Sequence, residues 1–205
     1  MTSSPSETET TIHPLQEFAD EVAGAVGGEA EITFDTVKVR VSPDQWVSAL
    51  TTARDDLGLV FFSFLSAVDW SAEVEVGDPP GEGVEERFEM LAAVGDLGAG
   101  RRVIFTTDLP KDSPVIPSLV DVYSGANWHE REAHEMFGID FDGHPDLAHL
   151  YLPDSFVGNP LRKSYPLLSR EVKPWPGTVD VEAMPGGGDE TDETSEGPSE
   201  ENPEA

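Results

Sequence analysis

Between Asn127 and Glu135 the chain reads NWHEREAHE, a run of side chains able to ligate a metal, move a proton or pair with an opposite charge. Two imidazoles, His129 and His134, and three carboxylates, Glu130, Glu132 and Glu135, are ligand types suited to zinc, and a third histidine, His144, follows. A zinc-hydrolase helix sets its two histidines four residues apart on one face. His129 and His134 are five apart, which at about 3.6 residues per turn rotates them roughly 140° from each other. A free-standing metal-dependent hydrolase built on His129, His134 and His144 is therefore the weaker reading, and ordinary surface or interface histidines the stronger one.

The same residues also make sense as helix chemistry. Asn127-Trp128-His129-Glu130 matches the Asn-x-x-Glu form of a capping box and predicts a short helix of about nine residues ending at Phe137, with Gly138 as its stop. On that helix Glu130 caps, Glu132 sits near the positive N-terminal end, and Arg131 can pair with Glu135 one turn on. Left unexplained is why so charged a helix is bracketed by Trp128 and Phe137 and followed by GIDFDGHPDLAHLYLPDSFVGNPLRKSYPLL. That stretch carries Ile139, Phe141, Leu147, Leu150, Tyr151 and Leu152 but too many prolines and glycines for a core of its own. Such a segment either lies along a partner, where burial offsets the entropy of ordering, or packs back on its own sheet, and the residues leave both open.

The elements that must hold this segment precede it. Leu15, Phe18, Val22 and Val26 recur at helical spacing before Gly27-Gly28. EITFDTVKVRV alternates as a tight hairpin with its turn at Asp35-Thr36. Ser42 caps and Pro43 opens a helix lined by Trp46, Leu50, Ala53 and Leu57, which Gly58 ends. A continuous apolar run, Leu59 to Val68, reads as a buried strand, far shorter than the roughly 20 residues that cross a bilayer. After a Gly, Pro and Glu-rich loop at 71–86, Arg87 to Val94 and Arg101 to Thr107 form a second hairpin, and Ser118 to Tyr123 can form one further helix. Helix, two strands, helix, three strands is the order of an α+β two-layer sandwich with a C-terminal helix and extended arm. The expected organisation is a disordered N-terminus at 1–12, the α+β domain at 13–110, a helical segment at 111–138, a partner-binding arm at 139–176 and a disordered acidic tail at 177–205.

Composition narrows the function. Lys+Arg 12 against Asp+Glu 41 give a net charge of -29, so nucleic acid and anionic lipid are poor partners. The absence of cysteine removes disulfides, thiolate nucleophiles and cysteine-ligated iron–sulfur clusters. No GxGxxG turn or GxxxxGK[ST] loop is present, and the triple glycine at 186–188 reads as linker. The first residues, MTSSPSETET, show no basic start or apolar run, so a cytoplasmic location is the expectation.

The run NWHEREAHEMFGIDFDGHPDLAHLYLP followed by NPLRKSYPL closely resembles the signature of the C subunit of the proton-pumping NADH:quinone oxidoreductase, respiratory complex I. In that family a Glu-Arg-Glu helix leads through Phe-Gly-Ile to His-Pro-Asp-Leu and Pro-Leu-Arg-Lys-x-Tyr-Pro. The resemblance implies a subunit without a cofactor, peripheral on the cytoplasmic side of the cell membrane. It would be packed in the hydrophilic arm against the iron–sulfur and quinone-site subunits, while flavin, iron–sulfur clusters and quinone sit in those partners. The motif positions carried over as interface and scaffold residues are Glu130, Arg131 and Glu132 on the helix and Phe137 and Gly138 at its end. His144, Pro145 and Leu147 follow in the turn, and Pro160, Leu161, Arg162, Lys163, Tyr165 and Pro166 in the last segment. Two departures stand out. His134-Glu135 replaces an aromatic and Asp, and Ala148-His149 replaces a pattern with Arg, implying a different contact there. The alternatives are the equivalent subunit of a related membrane-bound hydrogenase-like complex, the metal-dependent hydrolase above, and an assembly chaperone with an acidic tail.

Overall fold

In a computed structural model of the chain, residues 13–71 and 85–166 are described. The expected disordered ends, the tail glycines, most of the 71–86 loop and the last residues of the arm lie outside them. Leu15, Phe18, Val22 and Val26 do share a helix face. Helix α1, Gln16–Val26, buries Phe18, Val22 and Val26, and ends where Gly27 turns left-handed. Strands β1 (Glu29–Thr33) and β2 (Thr36–Arg40) then pair antiparallel, with Thr33 opposite Thr36. Their turn is centred on Phe34 and Asp35, not on Asp35-Thr36, and both residues have positive φ, +49° and +56°. A two-residue loop of that hand matches the twist of the strands it joins. Its consequence is that Phe34 leaves the strand alternation and stands 97% exposed.

Helix α2, Trp46–Asp55, follows a short 3-10 turn at Pro43–Gln45 and buries Trp46, Ala49, Leu50 and Ala53. Strands β3 (Phe61–Trp70), β4 (Arg87–Asp96) and β5 (Arg101–Leu109) complete a five-stranded sheet in the order β1-β2-β5-β4-β3. All of its pairings are antiparallel except β2 with β5. Period-two burial puts Val37, Val39, Val103, Phe105, Phe88 and Met90 in one core with the buried faces of α1 and α2. The α+β two-layer architecture is the one expected.

The apolar run at 59–68 is not buried on both sides. It forms most of β3, an edge strand paired only with β4. Leu65, Ala67 and Asp69 face inward, whereas Phe61, Phe64 and Val68 remain partly exposed on the other face. An uninterrupted apolar run normally signals a strand covered on both faces, but all three α-helices of the described residues contribute to the single core on one face of this sheet.

Beyond β5, no helix forms at Ser118 to Tyr123. Strand β6, Val115–Pro117, leads into turns there, and Tyr123 drops into the core, where its hydroxyl donates to the Leu59 carbonyl at 2.8 Å. Arg54 on α2 holds the preceding carbonyl of Val122 at 2.7 Å. Only a single turn of local bonding forms, the Val122 and Tyr123 amides both meeting the Leu119 carbonyl at 2.8 Å, and the tertiary bonds end it there. Helix α3, Ala126–Phe137, packs its Phe137 ring edge-on against Phe88 of β4, with centroids 6.2 Å apart. Strand β7, Asp140–Asp142, then pairs parallel with β6.

Candidate interaction site

Helix α3 carries the charged motif, and its N-cap is Gly125. Asn127 lies inside the first turn, so the expected capping box does not form and the helix has 12 residues in place of about nine. Glu130 is instead fully buried. One carboxylate oxygen accepts the Ser118 hydroxyl and the other the Leu119 amide, both at 2.6 Å. Burial pushes this carboxyl up to about 7, against the downward pull of those two donors. His144 comes in from the turn after β7, its Nε2 placed 3.3 Å from the Asn127 carbonyl and 4.0 Å from Glu130. Its Nδ1 accepts the Asp146 amide, which leaves the ring proton on Nε2 in the neutral ring.

Arg131 and Glu135 do not pair with each other, contrary to the local expectation. Arg131 donates from Nε and Nη2 to the carbonyls of Ala148 and His149 at 2.8 and 2.9 Å. Glu135 accepts the consecutive amides of Leu150, Tyr151 and Leu152 at 3.2, 3.0 and 2.7 Å. Burial raises its carboxyl, but these amides and the neighbouring His149 outweigh that and hold it below the usual carboxylate range. The helix thus grips residues 148–152 mainly by their backbone, with the His149 ring 3.6 Å from Glu135, leaving Tyr151 62% exposed.

The end of α3 is built around one guanidinium. Arg162 donates to the carbonyls of Phe137 and Gly138 and lies 5.3 Å from the centre of the Phe88 ring. Gly138 has φ +68°, and a side-chain carbon there would come within 2.6 Å of Arg162 and 2.8 Å of Asn159. Any other residue there would have to adopt the left-handed backbone and shift the Arg162 and Asn159 side chains from their places against α3. The Leu161 amide bonds Met136 at 3.1 Å. The Lys163 amide reaches Asp69 on β3 at 2.9 Å, and Asp69 also pairs with Lys111. Tyr165 stacks on Phe156 at 6.1 Å. Leu147 packs against the core and Pro160 is half-buried, while Pro145, Leu161 and Pro166 are exposed.

These strapped features lie within a region, residues 39–171, that matches the family model described as the respiratory-chain NADH dehydrogenase, 30 Kd subunit. The chain belongs to this family. Among curated relatives, the NADH-quinone oxidoreductase C subunit of Methylobacterium sp. (strain 4-46) is 37% identical over 165 residues, covering 79% of this chain and 72% of its own length. The same subunit of Rhodobacter capsulatus is 38% identical, with 74% and 73% covered. A solved trypsin-resistant fragment of Nqo5 matches with 25% identity and a TM-score of 0.52, over 64% of this chain and 98% of the fragment. A chain of an archaeal membrane-bound sulfane sulfur reductase shares the fold at 21% identity and a TM-score of 0.55, over 76% and 88%.

In this member of the 30 kDa family the histidines serve separate contacts. His129 meets Phe62 edge-on at 5.6 Å, and His134 faces the Ile139 carbonyl at 3.0 Å. Among the described residues no three His, Cys, Asp or Glu groups gather as a metal site. No described helix is long and apolar enough to cross a membrane. Two anchors of the site escaped the sequence reading: Asp69, buried at the end of an apolar strand, and Ser118, the hydroxyl partner of Glu130. Asp69 had a legible signal, because strand alternation from Leu65 and Ala67 puts it on the inward face, where a carboxylate requires a partner.

Proposed function

We propose that this chain is a non-catalytic, cofactor-free subunit of the hydrophilic arm of a proton-translocating NADH:quinone oxidoreductase. It is peripheral on the cytoplasmic side of the membrane and holds the iron–sulfur and quinone-site subunits in register. Flavin, clusters and quinone belong to those partners. The observation that carries this reading is the spending of Arg131 and Glu135 on the backbone of 148–152. Charges committed to main-chain groups stiffen a segment and are not free to move protons for a substrate. The same arrangement turns Tyr151, Val157 and Leu161 outward, 62%, 86% and 51% exposed, as an interface would need.

Within the motif, Glu130, Arg131, Phe137, Gly138, His144, Leu147, Pro160, Arg162, Lys163 and Tyr165 act as scaffold, whereas Glu132, Pro145, Leu161 and Pro166 meet neighbouring subunits. The names of the curated relatives support this over a hydrogenase-type complex or a hydrolase. The test is affinity purification from native membranes in mild detergent, with mass spectrometry of the partners and an NADH:quinone assay of the eluate. Stoichiometric recovery with flavin, iron–sulfur and antiporter-like subunits is expected. Recovery of the chain alone would overturn the reading.

A further inference from the structure

The charges of α3 can be followed one by one. Glu130 is held by Ser118 and Leu119, Arg131 by two carbonyls, and Glu135 by three amides. Glu132 alone among these acidic and basic side chains has no hydrogen-bond or ion-pair partner among the described residues, and it is half-buried. One turn before it, on the same face, stands Trp128 with 62% of its surface exposed. The indole is not loose: the Arg131 guanidinium lies 5.5 Å from its ring centre while bonded to the arm.

We propose that Trp128 and Glu132 form a docking face for a neighbouring protein subunit that brings an apolar contact to the indole and an arginine or lysine to the carboxylate. This rests on the subunit reading above and names the chemistry of the partner. Charge complementarity points to a cationic partner. Lys38, Arg40, Arg54, Arg87, Arg101 and Lys111 each pair with a carboxylate of the chain itself. Arg131 and Arg162 are turned to carbonyls, so none of these cations serves Glu132. A chain of net charge -29 attracts a cationic surface and repels an anionic one. Covering Glu132 without a cation would bury an unpaired charge. A pre-positioned tryptophan beside a charge that completes its pairing on association is the composition of an interface hot spot.

The experiment uses the full chain in its native membranes, with p-benzoylphenylalanine replacing Trp128 and the complex purified after irradiation. The expected result is a crosslink to a single subunit, within a peptide containing arginine or lysine. Glu132→Lys should lower recovery of that subunit by about tenfold, Glu132→Gln less, and changing the crosslinked cation to Glu should restore recovery with Glu132→Lys. Co-purification of the wild-type chain with its partners, together with no crosslink from the benzoylphenylalanine variant and full recovery with Glu132→Lys, would overturn this inference alone. A crosslink to a segment without cations, or no rescue by the exchanged charge, would do the same. A wild-type chain that recovers no respiratory subunits would overturn the subunit reading along with it.

Discussion

Arg131 and Glu135 stand one turn apart on α3 and address opposite polarities of one segment, the guanidinium taking the carbonyls of Ala148 and His149 and the carboxylate the amides of Leu150 to Leu152. An exposed ion pair between them would be worth a few tenths of a kcal/mol. Directed at the backbone, the carboxylate satisfies three part-buried amides that have no ladder of their own, at roughly 1.5–3 kcal/mol for a charge-assisted bond, while the guanidinium takes two exposed carbonyls, where solvent competes and each bond contributes less. Residues 150–152 are thereby held through their backbone amides, and the arm further along by the side chains of Asn159 and Arg162.

Glu135→Ala should release the 148–152 segment. The expected outcome is faster hydrogen exchange at the Leu150, Tyr151 and Leu152 amides, with a stability loss of about 2–3 kcal/mol. Exchange in α1 should be little changed. Protection unchanged at those three amides would show that they are held by something else.

Glu130 makes stability depend on pH. Its carboxyl is at about 7 in the folded chain against an ordinary value of 4.5, so the folded state holds the proton more tightly. Its contribution is full below the unfolded value and lost as pH rises through about 7, a difference on the order of 3 kcal/mol. Glu89 and Glu135 are shifted downward and act at lower pH. Glu130→Gln keeps an acceptor for Leu119 and a donor for Ser118, and should flatten the fall in melting temperature between pH 5 and 8 (about 3 pH units). An equal slope in both proteins would show that Glu130 does not titrate in that window.

Gly138→Ala should be costly for two separate reasons. The left-handed backbone costs an alanine roughly 1 kcal/mol, and the added carbon meets Arg162 and Asn159 at 2.6 and 2.8 Å. A total loss of about 2–4 kcal/mol in denaturant unfolding is expected. Gly143, also left-handed at φ +84° but with open space around it, is the control, and its alanine variant should lose only the backbone part.

Asp69→Ala should loosen β3 from the arm, since the carboxylate pairs with Lys111 and accepts the Lys163 amide. Leaving a buried partner unpaired predicts a loss of about 3–5 kcal/mol. Thermal unfolding reads this directly, and Asp69→Asn, which can still accept from Lys163, should recover part of it.

Helix α1, the β4–β5 hairpin and the stop at Gly138 were legible from the chain because their causes are local. Leu15, Phe18, Val22 and Val26 recur every third or fourth residue, strand residues alternate, and glycine alone tolerates φ +68° without strain. The long signature from Asn127 to Pro166 likewise pointed to the family before any fold was known. Glu130 could not be assigned locally: a carboxylate three residues after Asn127 suits a cap, but Ser118 and Leu119, brought beside it by the β6–β7 pairing, offer desolvated donors. The same held for Arg131 and Glu135, whose helical spacing favours a pair until the arm folds back and presents its backbone. Side-chain periodicity follows from neighbours a few residues away, so it is written in the chain. The choice of partner for a charged group depends on which unsatisfied groups folding brings near it, and those lie 11 to 18 residues distant for Glu130, Arg131 and Glu135.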